Sequence, residues 1–164
     1  ENEYVEIKST IEKLEKFSGK KIIGWESPGL TETDKTLDVL SENGINYVAD
    51  WVIDDQPQDL IVSNGNRMLA LPYTVEMNDV TISAVQNHRS NEIYERGKSQ
   101  FDQLYKESKE TTKIMAISVH PYLTGVPHRI NYLNQLLDYI IKNKDVEFMT
   151  GEQINNWYCK EVQN

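Results

Sequence analysis

The sequence contains little cysteine, little positive charge and no long apolar run. Its single cysteine, Cys159, cannot form an internal disulfide bond, which favours a reducing, cytoplasmic location. Lysine and arginine number 17 against 26 acidic residues, giving a net charge of −9. This balance argues against nucleic-acid binding and against anionic membranes, because both need clustered positive charge. No apolar run approaches the roughly 20 residues that a membrane-spanning helix requires.

The rest of the composition is that of an ordinary globular protein. Hydrophobic residues make up 38% and charged residues 26% of 164 positions, which is enough for one domain with its own core. We therefore expect a single domain over residues 1–164. Because Glu1 is not an initiator methionine, we also expect that the intact protein continues upstream.

Helical and strand patterns alternate along the chain. Helices are predicted over residues 4–17, from Thr31–Asp34 to Asn43–Gly44, over 91–109, over 130–141 and around 154–158. Strands are predicted at 20–25, 45–49, 68–72, 113–119 and 146–149, and segment 52–65 is predicted to be irregular. Such alternation is typical of parallel β/α repeats in an α/β fold. About five strands are too few for a barrel of about eight, so the sheet is either open or part of a barrel whose first strands are missing.

The apolar run at 114–119 ends in His120 and Pro121. An imidazole at the carboxyl end of a buried parallel strand lies where α/β enzymes place their chemistry. The alternative is a histidine that only bonds the next loop. Four predicted loops share this edge of the sheet: 25–28, 50–51, 73–79 and 120–129. Their many aromatic, acidic and amide side chains favour a functional role for His120.

Five blocks of residues carry a family resemblance. They are Gly24–Pro28, Tyr47–Asp50 with Asp54–Pro57, Leu71–Asp79, Phe101–Glu107 and Ser118–Arg129. In order and spacing they resemble the carboxyl-terminal part of the polysaccharide deacetylase (NodB-homology) superfamily, most closely its allantoinase-like branch. The resemblance implies part of a distorted (β/α)7-type barrel and hydrolysis of carbon–nitrogen bonds in N-acetyl groups or cyclic amides such as allantoin.

The resemblance also implies residue roles. His120 matches the family's late catalytic histidine, a general acid that protonates the leaving nitrogen. The matching substrate-binding positions are Trp25, Pro28, Asp50, Trp51, Tyr73, Asn78, Asp79 and Arg129. By residue type alone, the tryptophans equally suit packing, and the Asn–Asp pair equally suits a cap on the following turn.

Two family motifs have no match here. An upstream Asp-Asp motif and a His-x-x-x-His motif supply the family's general base and metal site, and neither stands before the matching blocks. The three histidines, His88, His120 and His128, contain no pair at i, i+4 spacing. We therefore predict no metal or other cofactor within this chain, with zinc binding only if a preceding segment supplies ligands.

Two interpretations follow for function. The leading one is a C–N hydrolase acting on a saccharide or small-molecule substrate, with this chain as an incomplete catalytic unit. The alternative is a non-catalytic remnant that binds a ligand or partner. A sheet edge left open by missing strands would pair with another chain, so we expect a homo-oligomer or pairing with a missing amino-terminal segment.

Overall fold

The computed structural model describes residues 2–161, which divide into two compact units. The first comprises residues 2–71 and 149–161, and the second comprises residues 72–148. The helices of the described chain are α1 (Asn2–Ser18), α2 (Thr36–Glu42), α3 (Glu92–Glu107), α4 (Ile130–Ile141) and α5 (Gly151–Glu161). The strands are β1 (Gly24–Trp25), β2 (Tyr47–Val48), β3 (Gln58–Leu60) and β4 (Met68–Ala70). One domain over residues 1–164 stays a prediction.

The first unit is built on a four-stranded mixed sheet with the order β1-β2-β4-β3. Strands β1, β2 and β4 are parallel, as predicted, and each is shorter than the apolar run that predicted it. Ile7 and Ile11 lie one turn apart on α1, so both enter the core, where Leu40 and Val48 are fully buried. Phe17, the last residue of the helix predicted over residues 4–17, is 93% exposed.

The aromatic ring of Tyr47 lies against two backbone segments of this unit. A Cβ atom built on Gly151 would be 2.9 Å from Tyr47 Cε2, and one built on Gly24 would be closer still. Glycine at both positions leaves room for the ring where it lies, and a larger residue would require the ring to shift. The ring therefore joins β1, β2 and the start of α5.

The second unit is built on two long helices. Leu133, Leu136 and Ile140 repeat at spacings of three and four on α4 and pack in one core cluster with residues of α3, among them Phe101. Met77 and Ile82 close this cluster from the preceding segment, where Val80–Val85 form a short π-helix. The helices predicted at 91–109 and 130–141 are confirmed within two residues of each end.

Three strand predictions are wrong. Segment 58–60 forms β3, antiparallel to β4, although 52–65 was predicted to be irregular and the sheet wholly parallel. Segment 113–119 forms no strand and makes one isolated bridge, between Ser118 and Asn78. Segment 146–149 also forms no strand, and Phe148 is 58% exposed. An apolar run indicates burial but cannot specify a pairing partner, and a strand needs both.

Helix α2 begins at Thr36, later than predicted, and ends at the predicted Asn43–Gly44 turn. Residues Pro28–Leu30 form a single 3-10 turn before it.

No helix in the described residues combines the length and the apolar character needed to cross a membrane.

Candidate active site

Two segments of the second unit run side by side and set the position of the candidate site. The Ser118 N–H donates to the Met77 carbonyl at 3.0 Å, and the Asp79 N–H donates to the Ser118 carbonyl at 3.1 Å. This parallel bridge brings residue 79 next to residue 120, across 41 positions of sequence. The segment predicted as a strand therefore still fixes where His120 lies.

The Asp79 carboxylate is the centre of the site. It is 1% exposed and accepts three hydrogen bonds. Oδ1 lies 2.7 Å from His120 Nδ1, while Oδ2 accepts from the His120 backbone N–H at 2.7 Å and from Thr124 Oγ1 at 2.6 Å. Three donors for one buried carboxylate are the arrangement expected for a group that stays ionised.

Two opposing effects act on the Asp79 carboxyl. Burial alone would raise its pKa, because desolvation disfavours the charged form. The hydrogen bonds from the His120 N–H, from Thr124 and from the imidazole outweigh that effect, and the pKa of Asp79 lies below its ordinary value. An ionised Asp79 can only accept hydrogen bonds, so Nδ1 of the imidazole must carry a proton.

The His120 ring has one nitrogen for a ligand. Nδ1 is held by Asp79, which leaves Nε2 as the reactive nitrogen, and the side chain is 38% exposed. The ring of Tyr122 packs edge-on to the imidazole at 5.6 Å between centroids and is itself largely exposed. A buried carboxylate behind a half-exposed imidazole is an arrangement suited to proton transfer at Nε2.

Tyr73 and Asn78 form a polar chain beside this cluster. Tyr73 Oη donates to Ser118 Oγ at 2.9 Å, and Asn78 Nδ2 donates to Tyr73 Oη at 3.3 Å. Asn78 Oδ1 accepts from the Val80 N–H at 2.9 Å, which is the turn cap that residue type allowed. A substrate role for these side chains stays a prediction.

Arg129 precedes α4 and turns back to the loop that follows His120. Its Nη1 donates to the Leu123 carbonyl at 3.3 Å, and its buried Nε has no hydrogen-bond partner within the described chain. Arg129 as a substrate-binding residue also stays a prediction.

His88 and His128, the other two histidines, are exposed.

The other predicted binding residues lie in the first unit. Trp25 Nε1 donates to Ser27 Oγ at 3.0 Å, and the Ser27 N–H donates to Asp50 Oδ1 at 2.6 Å. Trp51 is 44% exposed, and its Nε1 donates to Glu32 Oε1 at 3.2 Å. Pro28 begins the 3-10 turn. That these residues and His120 share one groove stays a prediction.

Sequence reasoning missed two partners, Thr124 and Glu32. A threonine four residues after a histidine carries no signal by itself, and Glu32 lies within the predicted start of a helix, Thr31–Asp34, with nothing in the sequence to distinguish it. As for metals, no group of three or more His, Cys, Asp or Glu side chains in residues 2–161 is placed to hold an ion. The residues described here do not fit the family's zinc site.

Comparisons with known proteins show which proteins this chain is similar to. No family model matches the sequence. A Schizosaccharomyces pombe protein, whose own assignment as a polysaccharide deacetylase is provisional, is 33% identical over 113 residues, which are 67% of this chain and 35% of that protein. The chain thus spans about a third of this curated relative.

Solved structures similar to this chain include an allantoinase and provisionally assigned polysaccharide deacetylases. Puue allantoinase superposes with a TM-score of 0.88 at 25% identity, over 96% of this chain and 53% of its own. A Pseudomonas aeruginosa PAO1 protein, provisionally a polysaccharide deacetylase, gives 0.85 at 26% identity, over 93% and 51%. A Mycobacterium smegmatis protein with the same provisional assignment gives 0.79 at 20% identity, over 93% and 54%, and shows the fold alone.

The fold is therefore a mixed α/β fold with parallel strands, similar to about half of each matched structure. The chain is similar to polysaccharide deacetylases and to an allantoinase over about a third to a half of their length, and the resemblance drawn from the five sequence blocks is confirmed.

Proposed function

We propose that this chain supplies the proton-donating part of a hydrolase that acts on non-peptide carbon–nitrogen bonds. The observation that carries the proposal is the cluster of His120, Asp79 and Thr124, in which a buried carboxylate fixes the imidazole through Nδ1. The chain spans only about half of the matched structures. It forms part of a distorted (β/α)7-type barrel and an incomplete catalytic unit.

The chemistry assigned to His120 is proton donation from Nε2. Water attacks the amide or imide carbonyl, the carbon–nitrogen bond breaks, and the Nε2 proton passes to the leaving nitrogen, which departs as a neutral amine or amide. Asp79 holds Nδ1–H and stabilises the positive ring before the transfer. A positioned general acid of this kind contributes about 10²–10⁴-fold to the rate. The group that activates the water lies outside the residues assigned here.

The substrate class is a small cyclic amide, in preference to an N-acetyl sugar. The likeness to Puue allantoinase and the allantoinase-like block at 71–79 support this choice. Ureido and imide groups present both carbonyl acceptors and N–H donors, which Arg129 and Asn78 complement in type. Trp25, Pro28, Asp50, Trp51 and Tyr73 are proposed as further substrate contacts. We propose a cytoplasmic location, which the single cysteine favours.

The test compares histidine variants of the purified protein. Hydrolysis of allantoin and of an N-acetylated oligosaccharide is measured for the native protein, His120→Gln and the control His128→Gln, whose histidine is exposed. For protein that carries the water-activating group and turns over a substrate, we expect His120→Gln to lose about 10²–10⁴-fold in kcat and His128→Gln to keep full activity. Full activity in His120→Gln would refute the assignment.

A non-catalytic, ligand-binding role is the second candidate. It is supported by the lack of a fitting metal-ligand group in the described chain. In that case the native protein shows no turnover but binds allantoin or the oligosaccharide in calorimetry. A remnant of this kind would pair with a second copy or with an amino-terminal segment, and light scattering of the purified protein measures its oligomeric state.

A further inference from the structure

The first unit contains two Asn–Gly pairs, Asn43–Gly44 at the end of α2 and Asn64–Gly65 between β3 and β4. In such a pair the backbone nitrogen of the glycine can attack the side-chain amide of the asparagine, because glycine has no side chain to shield that nitrogen. The attack requires the side-chain carbonyl to be turned toward the nitrogen. The direction of each asparagine side chain therefore decides which pair can react.

The Asn43 side chain is turned back along α2. Its Nδ2 donates to the Val39 carbonyl at 2.8 Å, one helical turn earlier. The Gly44 N–H donates to the Ser41 carbonyl at 3.2 Å in the turn that ends the helix. The amide of Asn43 is thus directed away from the Gly44 nitrogen, and the residue is half-buried. This pair is held in an unreactive geometry.

The Asn64 side chain is turned forward over the next two residues. Its Oδ1 accepts the Asn66 N–H at 3.0 Å, which turns the side-chain carbonyl toward the Gly65 nitrogen. Ser41 Oγ, on α2, donates to the same oxygen at 3.1 Å. Two donors therefore face the oxygen on which negative charge develops when this carbonyl is attacked. Asn64 and Gly65 are both exposed, so water reaches the pair.

We propose that Asn64–Gly65 is a self-modification site at which Asn64 loses its side-chain amide as ammonia. The Gly65 nitrogen attacks Asn64 Cγ and forms a carbon–nitrogen bond, its proton passes to the side-chain nitrogen, and that nitrogen leaves as ammonia. The resulting five-membered succinimide takes up one water. Opening at one carbonyl gives aspartate, and opening at the other gives isoaspartate, in which the main chain runs through the former side-chain carbonyl. The sum of the steps consumes one water and releases one ammonia.

The modification weakens the attachment of this turn to α2. Ser41 is 4% exposed, and its Oγ accepts Asn64 Nδ2 at 3.0 Å and Asn66 Nδ2 at 3.3 Å. A carboxylate at position 64 has no proton to donate, so the first of these bonds is lost. Isoaspartate also adds one carbon to the main chain that connects β3 to β4. We therefore expect the modified chain to be less stable than the native chain.

The experiment compares the two pairs within one peptide. Both lie in the tryptic fragment 36–67, because no lysine or arginine stands between Lys35 and Arg67. The purified full chain is incubated at mildly alkaline pH, and fragment mass spectra follow the conversion of each asparagine to a carboxylic acid. We expect Asn64 to react at least about tenfold faster than Asn43 in the folded chain, because only its carbonyl faces two donors. In concentrated urea, where neither geometry is held, the two rates should converge.

Two outcomes would overturn the proposal. One is a folded chain in which Asn43 reacts as fast as Asn64. The other is a ratio of the two rates that stays the same in urea, because sequence neighbours and not the folded geometry would then determine it. The native protein alone supplies both measurements, so the test does not depend on a variant that folds.

Two variants assign the product. Asn64→Gln keeps an amide but has one more methylene, so the five-membered ring cannot form and the modified species should disappear. Asn43→Gln, the matched control, should leave it unchanged. Incubated native protein should unfold at a lower urea concentration than fresh protein, whereas incubated Asn64→Gln should match its fresh sample. A modified species that persists in Asn64→Gln would contradict the assignment to this pair.

Discussion

Removing the Asp79 carboxylate tests the candidate site through stability as well as activity. Asp79→Ala leaves Thr124 Oγ1 and the His120 N–H without their acceptor in a position that is 1% exposed, and the imidazole loses its support. Asp79→Asn is milder. Its amide oxygen can keep the two bonds now made by Oδ2, while its NH₂ group faces Nδ1 and forces the other tautomer of His120.

The expected magnitudes follow from these bonds. A hydrogen bond to a charged group contributes about 1.5–3 kcal/mol, and removing one partner of a buried charged network costs about 3–5 kcal/mol. We expect Asp79→Ala to lower the free energy of unfolding by about 3–5 kcal/mol and Asp79→Asn by about 1.5–3 kcal/mol. The wrong tautomer costs about 10⁴-fold in kcat in histidine–aspartate systems, so a similar loss of turnover is expected for Asp79→Asn.

The assay is urea unfolding followed by circular dichroism, with linear extrapolation to water. Asp138→Asn, an exposed carboxylate on α4, is the control and should stay within about 0.5 kcal/mol. A cost below about 1 kcal/mol for Asp79→Ala would refute the reasoning, because the three bonds could not then be formed in solution.

The pH dependence of the same variants has a defined sign. Unfolded aspartate has a pKa of about 3.9, and the folded pKa of Asp79 is lower. Its stabilisation is therefore present above about pH 4 and is lost as pH falls through the folded pKa. The stability difference between native protein and Asp79→Asn should narrow below about pH 4. A constant difference down to pH 2 would contradict the lowered pKa.

Three further changes probe the second unit. Thr124→Val removes one donor to Asp79 and should cost about 1–3 kcal/mol in urea unfolding, with lower kcat and little change in KM. Gly97→Ala places a Cβ against Leu136 and should destabilise the α3–α4 contact by about 1–3 kcal/mol despite alanine's better helix propensity, and a stabilised variant would contradict this packing. Leu136→Ala should cost about 2–5 kcal/mol because this side chain is fully buried, against less than about 1 kcal/mol for Ile141→Ala at 66% exposure.

Sequence patterns predicted the helices well because helical periodicity is local. The apolar spacing at Leu133, Leu136 and Ile140 carries all that is needed to predict α4. Strand β3 shows the opposite case. Its residues Gln58–Leu60 have no apolar alternation, and they form a strand because β4 offers a free edge at the matching register. That pairing is not local and leaves no mark in a short window of sequence.

The candidate site was also predicted only in part. His120 could be singled out from its place after an apolar run, and the family resemblance assigned it the acid role. Asp79 was predicted as a substrate contact or, with Asn78, as a cap on the following turn, whereas the structure places it behind the imidazole as a positioning partner. The contact spans 41 residues and depends on the bridge between Asn78 and Ser118, so residue spacing alone cannot predict it.

The Tyr47 ring couples the residue types that positions 24, 47 and 151 can carry together. Because the ring occupies the space that a side chain would need at Gly24 and at Gly151, a side chain at either position requires the Tyr47 ring to move. In a library that randomises positions 24, 47 and 151 together, we expect folded members with alanine or serine at 24 or 151 to carry a small residue at 47. Folded members that keep Tyr47 together with such a side chain would contradict this linkage.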